Sequence, residues 1–154
     1  MRFDFVKTFL ESTTHTLREV VDPSAEIGAI RMRPAPLAFG EVIAVINLTG
    51  DAQGKVIFDL DLPTAVEVAG QMMEEDSAGL SPIVRSAIAE LASMATGKAI
   101  SEINDAGVAL KMAPPTVLSG SSHRSYEDYL ETLVAPIMTS FGEIRVNVTI
   151  QDLE

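Results

Sequence analysis

Residues 81–104, SPIVRSAIAELASMATGKAISEIN, form the longest uninterrupted helical pattern in the chain, and a helix of this length must bury one side and expose another. At about 100° per residue, Val84, Ile88, Leu91, Ala95 and Ala99 fall on one apolar stripe, as a core-facing helix requires. Ser86, Glu90, Ser93, Gly97 and Asn104 gather on a second stripe, roughly opposite, made only of small or polar residues. The start signals agree, with Ser81 as N-cap and Pro82 at the first helical position, where its missing N–H costs nothing.

The rest of the chain supplies what such a helix can pack against. Phe3 to Val21 reads as an amphipathic helix with Phe5, Phe9, Thr13, Thr16 and Val20 on one face and Val6, Leu10 and Leu17 widening it. Asp22-Pro23 stops it, because the residue before proline is pushed out of the α region. Residues 25–36 have no clear period and read as a loop or irregular edge strand, in which Arg31 and Arg33 alternate with Ile30 and Met32. Residues 39–48 and 55–60 read as two strands of an antiparallel hairpin, joined by a turn over residues 49–54 with glycines at both ends of Gly50–Gly54. A phosphate-cradling role for that turn fails, since no helix follows directly and the Lys-Ser/Thr pair of a P-loop is missing.

A second helix is expected from Leu62 to Met73, capped near Asp61 or Thr64, with Met72 and Met73 as core filling. Glu74, Glu75 and Asp76 read as a solvated loop rather than a calcium loop. After the long helix, Gly107 marks its end, Val108 to Met112 a short strand, Pro114-Pro115 an interruption, and residues 119–122 a turn. Tyr126 to Pro136 reads as strand or short helix, with β-branched content favouring strand. Gly142 to Gln151 alternates cleanly, with Ile144, Val146, Val148 and Ile150 on one face and Arg145, Asn147 and Thr149 on the other. The fold class that follows is α+β, a single domain over residues 1–154 with long helices packed on an antiparallel sheet.

Charge and composition narrow the function. A net charge of −11 argues against nucleic acid, which needs clustered Lys and Arg, and against anionic membrane surfaces. No apolar run is long enough for a secretory signal or a membrane span, so a cytoplasmic location is expected. The absence of cysteine excludes disulfides and thiolate metal sites, and His15 and His123 stand far apart in no ligand spacing, so no metal site is expected. No nucleophile elbow, HExxH or dinucleotide fingerprint appears. What remains is the polar stripe of the long helix. Glu90 and Ser93 point the same way from adjacent turns, and Gly97 leaves room for close approach. Spacing alone leaves two readings open, an ordinary solvated face or a site. The pair Glu11 and Thr14 repeats the spacing on the first helix.

The segment from Ser86 to Lys98, SAIAELASMATGK, resembles the signature helix of the CheC/CheX/FliY family of chemotaxis phosphatases. That signature is an Asp or Ser, a Glu four residues on, an Asn three further and a proline about twenty residues later. Ser86 and Glu90 match it, and Ser93 stands where the family has Asn. Residues 114–120, PPTVLSG, resemble the family's PPTVVSG-like segment, and the hairpin around Ile46, Leu48, Gly50 and Gly54 and the strand from Gly142 also align. The resemblance covers nearly the whole chain and points to the single-site, CheX-like branch. It implies a CheC/CheX-like fold, a homodimer joined through sheet edges, and hydrolysis of the aspartyl phosphate of a CheY-type response regulator. In that chemistry the chain needs no cofactor of its own, because the regulator supplies Mg2+ and a lysine. Glu90 and Ser93 are then the catalytic residues, with Glu90 pairing the regulator's lysine and Ser93 in the water-positioning place, and Ser86, Gly97 and Pro115 touch the partner. A serine hydroxyl is shorter than an Asn amide, and Asn104, about fourteen residues beyond Glu90 or roughly 21 Å along the axis, is too far to stand in. The alternatives are a non-catalytic adaptor that binds the regulator, as related domains do in flagellar switch proteins, and a small-molecule sensor using the same helix face.

Overall fold

A computed structural model describes residues 2–36, 38, 40–73, 79–119 and 131–152. Among these, three helices, α1 (Phe3–Val20), α2 (Leu62–Met73) and α3 (Pro82–Asp105), lie with eight strands. The strands are β1 (Glu26–Ile27), β2 (Arg31–Arg33), β3 (Val42–Gly50), β4 (Ala52–Leu60), β5 (Leu110–Met112), β6 (Thr116–Ser119), β7 (Thr132–Thr139) and β8 (Gly142–Asp152). They form one sheet in the order β1-β7-β8-β4-β3-β5, with β2 beside β1 on β7 and β6 beside β5 on β3. Every pairing is antiparallel. The α+β expectation holds.

The apolar stripe of α1 is buried as its periodicity requires, and two of the threonines on the buried side bond inside the helix. Thr13 and Thr14 donate their hydroxyls to the carbonyls of Phe9 and Leu10 at 2.7 and 2.8 Å, so neither is buried unsatisfied. Arg2 holds the start of the helix, with its N–H on Ile150 O at 3.0 Å and its guanidinium 3.9 Å from the Phe5 ring centroid. α1 packs against α3, α2 packs against α3, and Phe9, Leu17, Ile46, Phe58, Ile88, Leu91 and Ile103 fill the core that helices and sheet share.

Two expectations need correction. The hairpin turn is shorter than residues 49–54. Both strands run on to Gly50 and Ala52, with Leu48 opposite Gly54, leaving only Asp51 between them. The reason is that both limbs are paired on their outer sides, Gly50 with Leu110 on β5 and Gly54 with Ile150 on β8. A Cβ at Gly50 would collide with Ala109 O and one at Gly54 with Thr149 O, so these glycines serve close approach of neighbouring strands. Gly50 also adopts φ 118°, which side chains rarely tolerate. Second, Met73 is exposed, and only Met72 packs on the core.

Residues 25–36, expected as loop or edge strand, become the short strands β1 and β2 on β7. The strand preference over residues 126–136 holds for β7 from Thr132, and Tyr126 to Leu130 lie outside the described residues. So do Phe39, Glu74, Glu75, Asp76, the turn after Ser119 and His123. The expected cap of α2 is divided. Asp61 accepts the Ala65 N–H through its carbonyl at 3.0 Å, while Glu41 Oε1 accepts the Leu62 N–H at 3.2 Å.

The face of β8 away from the apolar stripe is polar yet buried. Arg145, its side chain 7% exposed, donates from Nε to Asp59 Oδ2 at 2.8 Å, from Nη2 to Asp61 Oδ1 at 3.1 Å and from Nη1 to Glu143 Oε2 at 3.3 Å. Burial works against that charge, but the hydrogen bonds and charges of Asp59 and Asp61 prevail and raise the Arg145 pKa. Asp59 also takes the Gly40 N–H at 2.7 Å, so this fork ties β4, β8 and the approach to β3 together.

The corner after α1 is tied by Asp22. Its Oδ1 accepts the Ser24 N–H and Oγ–H at 2.9 and 2.7 Å, and its Oδ2 accepts the Ser140 N–H at 2.6 Å. The Ser140 and Ser24 N–H groups hold the Asp22 carboxyl far below its ordinary value of 3.8. A depressed pKa gives stability that is complete above 3.8 and lost as pH falls below it. Asp22→Asn is therefore expected to melt at lower temperature than wild type at neutral pH. Thermal unfolding followed by circular dichroism should show the gap closing as pH falls below 3.8. A gap unchanged down to strongly acid pH would remove Asp22 from this role.

Candidate functional site on the long helix

α3 begins as its sequence demands, with Ser81 Oγ accepting the Val84 N–H at 3.3 Å and Pro82 in the first turn. Val84, Ile88, Leu91, Ala95 and Ala99 are all buried, and Ala87, Ala92, Thr96, Ile100 and Ile103 widen the buried side. The opposite stripe behaves as expected too. Ser86, Glu90 and Asn104 are exposed, and Ser93 and Gly97 are half-buried. Among the described residues, no hydrogen bond or ion pair engages the Glu90 carboxylate. Two apolar side chains that periodicity did not single out stand on the exposed surface, Ile83 and Met94, each 38% exposed.

The edge of the sheet runs alongside this stripe in the reverse direction. Asn104 Oδ1 accepts the Leu110 N–H at 2.8 Å and its Nδ2 donates to Leu110 O at 3.4 Å, latching β5 to the end of α3. A Cβ at Gly97 would lie 4.0 Å from Met112 Sδ. Further towards the start of the helix, Arg85 donates to Val117 O and Ser119 Oγ, both at 3.2 Å. These three contacts bracket Pro114 and Pro115 beside the middle of α3, where Glu90 and Ser93 lie. Pro115 thus lies along α3 between the levels of Arg85 and Gly97.

The Glu11 and Thr14 pair on α1 builds no second copy of this face, because Thr14 is buried against Leu10 O. His15 is exposed and paired with Glu19, as a surface histidine. A cleft of about 520 Å³ opens between α1 and the later turns of α3, lined by Ser12, His15, Arg18, Lys98 and Glu102, but Glu90 and Ser93 do not line it. Among the described residues no three His, Asp or Glu side chains are gathered to hold a metal ion. Small substrates are held in concave sites, whereas Glu90 projects from an open helix face of the kind that docks on another macromolecule.

The family described as "Chemotaxis phosphatase CheX" matches residues 42–138, a span that includes α3, the Pro114-Pro115 segment and most of β7. The chain belongs to the CheX family. A CheX relative from Thermotoga maritima, named CheY-P phosphatase CheX, is 29% identical over 120 residues, 75% of each chain. The crystal structure of a CheC-like superfamily protein from Shewanella sp. PV-4 superposes with a TM-score of 0.86 at 24% identity, over 98% of this chain and 99% of that one. The CheX-CheY-BeF3-Mg2+ complex from Borrelia burgdorferi contains a chain with a TM-score of 0.85 at 22% identity, over 98% of this chain and 100% of that one. At these identities the two structures bear on the fold, and the CheC-like fold is what this chain has.

The Arg85 tie, the Asn104 latch and the Ile83 and Met94 side chains went unread in the sequence. Asn104 carried a usable signal, an amide in the last turn before Gly107. Gly97 bears on the helix itself, since a mid-helix glycine is destabilising and its neighbour sits at ordinary contact distance. Gly97→Ala is expected to stabilise the fold by about 0.5–1 kcal/mol, read as a higher denaturation midpoint. A lowered midpoint would mean that the flank beside Met112 is tighter than 4.0 Å contact implies.

Proposed function

We propose that this CheX-family chain docks the exposed stripe of α3 on a phosphorylated CheY-type response regulator and hydrolyses its aspartyl phosphate. The observation that carries this reading is the exposed Glu90 carboxylate, free of described partners at the middle of a rigidly packed helix. The Thermotoga maritima relative is named for action on CheY-P, and the Borrelia burgdorferi complex pairs a CheX with CheY, BeF3 and Mg2+. An acyl phosphate is already reactive, so catalysis needs mainly positioning and charge neutralisation. On this reading the regulator brings Mg2+ and a lysine, and Glu90 receives that lysine in a charge-assisted hydrogen bond. Ser93, one turn on, holds a water by its hydroxyl, while Ser86, Gly97 and Pro115 complete the contact. The water oxygen bonds to phosphorus, the bond from phosphorus to the aspartyl oxygen breaks, and inorganic phosphate leaves with the water's protons shared among its oxygens and solvent. On this reading the protein works in the cytoplasm with its partner.

A second reading follows from Ser93 itself. Its hydroxyl reaches less far than an Asn amide, and a member that binds without hydrolysis is an adaptor. Phosphate release from a phosphorylated CheY-type regulator separates the two. Wild type is expected to accelerate release, Glu90→Ala to weaken binding about tenfold or more, and Ser93→Asn to raise the rate. If wild type adds nothing while Ser93→Asn gains activity, the adaptor reading takes over. If neither substitution changes rate or binding, this face is not the site.

We also propose that two copies pair through the β1–β2 edge. Among the described residues these strands pair only with β7, leaving their outer backbone open. Phe3, Ile27 and Ile30 line an apolar groove with Leu10 and Leu133 beside that edge. An open edge beside an apolar groove fits a second copy of the same strands. Analytical ultracentrifugation is expected to give a dimer for wild type and a monomer for Ile27→Lys. Equal mass for both would remove this interface.

A further inference from the structure

Arg85 has no part in the chemistry above, yet it ties α3, which carries Glu90, to β6. It is half-buried, and its guanidinium donates to the backbone carbonyl of Val117 and the hydroxyl of Ser119, both at 3.2 Å. In a chain with 22 acidic and 11 basic residues, an arginine on a helix surface has carboxylates to choose from. Arg85 instead spends its planar fork on two neutral acceptors of one strand.

That strand needs holding. β5 and β6 together form one edge of the sheet, paired with β3 at Leu48–Gly50 and again at Val42–Val45. Between the two pairings, Ala113 N–H reaches Asn47 O at 2.9 Å, and Pro114 and Pro115 then bring no N–H to the ladder. The far end of the run is latched to α3 by Asn104, and the near end by Arg85. Arg85 thus adds a side-chain tie from α3 to β6 at the end of the run opposite the Asn104 latch, with Pro114 and Pro115 between the two.

We infer that Arg85 is a positioning residue for partner docking, holding the Pro114–Ser119 edge against α3 so that helix stripe and edge meet a phosphorylated receiver domain as one preformed surface. This role rests on the docking reading of α3 given above. Preformed surfaces bind more tightly because less is ordered on association, so loss of the tie acts on affinity and leaves the reacting groups in place. It acts through the edge strand, since Arg85 lies about 100° around the helix from Ser86.

Two readouts on the full chain test it, with Arg85→Met removing both donors and Arg85→Lys keeping the charge but not the fork. In Arg85→Met, amide exchange at residues 116–119 is expected to speed up about tenfold, the scale of one lost charge-assisted hydrogen bond. Affinity for a CheY-type regulator loaded with beryllofluoride and Mg2+ is expected to fall about tenfold. The half-saturating concentration for phosphate release should rise in step while kcat stays within about twofold. Arg85→Lys is expected to fall between wild type and Arg85→Met on every measure. Unchanged exchange at 116–119 overturns the role, as does faster exchange with unchanged affinity, or a fall in kcat at constant half-saturation. Failure of wild type to bind the loaded regulator at all sinks the docking reading itself and this role with it. That result is seen before any variant is made, so the two failures cannot be confused.

Discussion

The close packing of α3 is the constraint on which the other elements depend. Its buried side is built largely of alanine, with Ala87, Ala92, Ala95 and Ala99 between Ile88, Leu91 and Ile103. Small side chains let the helix lie near both α1 and the sheet, while the larger ones reach into the shared core. Burying each of the larger side chains contributes roughly 1.5–3 kcal/mol. A helix held this firmly on one side can leave the middle of its other side exposed. Glu90 and Ser93 are carried on that other side, and their geometry is set by the packing behind them.

The candidate site has little chemistry of its own, which suits the reaction proposed for it. Among the described residues no metal ligands are gathered around Glu90. Phosphoryl transfer from an aspartate requires charge neutralisation and an oriented water, and the first can come from the partner. On the proposed reading, what the chain adds is a carboxylate, a hydroxyl and a rigid frame. A serine at position 93 would make that frame more important, because a short side chain has little reach with which to correct a misplaced water.

Much of this was readable from the residues. The period of α3, its Ser-Pro start and the alternation of β8 all gave the right element with the right side buried, because in each case local pattern and tertiary packing agree. Gly50 and Gly54 show where such reading fails. Glycine serves both turns and close strand approach, and only the neighbouring strands β5 and β8 decide which. Arg145 is a similar case. Alternation put it opposite the apolar stripe, and nothing local reveals that Asp59, Asp61 and Glu143 converge on it from separate positions. At the site, Glu90 and its stripe were visible from helical spacing, and family resemblance gave them meaning. The Arg85 tie was invisible, since it joins α3 to a strand whose path a sequence does not show, and the Asn104 latch had only its place before Gly107 to mark it.

The Pro114-Pro115 break also bears on how this sheet meets its surroundings. Prolines in an edge strand, flanked by a helix that covers it, leave no continuous row of amides for another chain to copy. Among the described residues the β1–β2 side has no such stop. On the pairing proposed above, a sheet interrupted on one margin and open on the other accepts one neighbour and has nothing left to offer a third, so growth ends in a closed pair rather than a fibre.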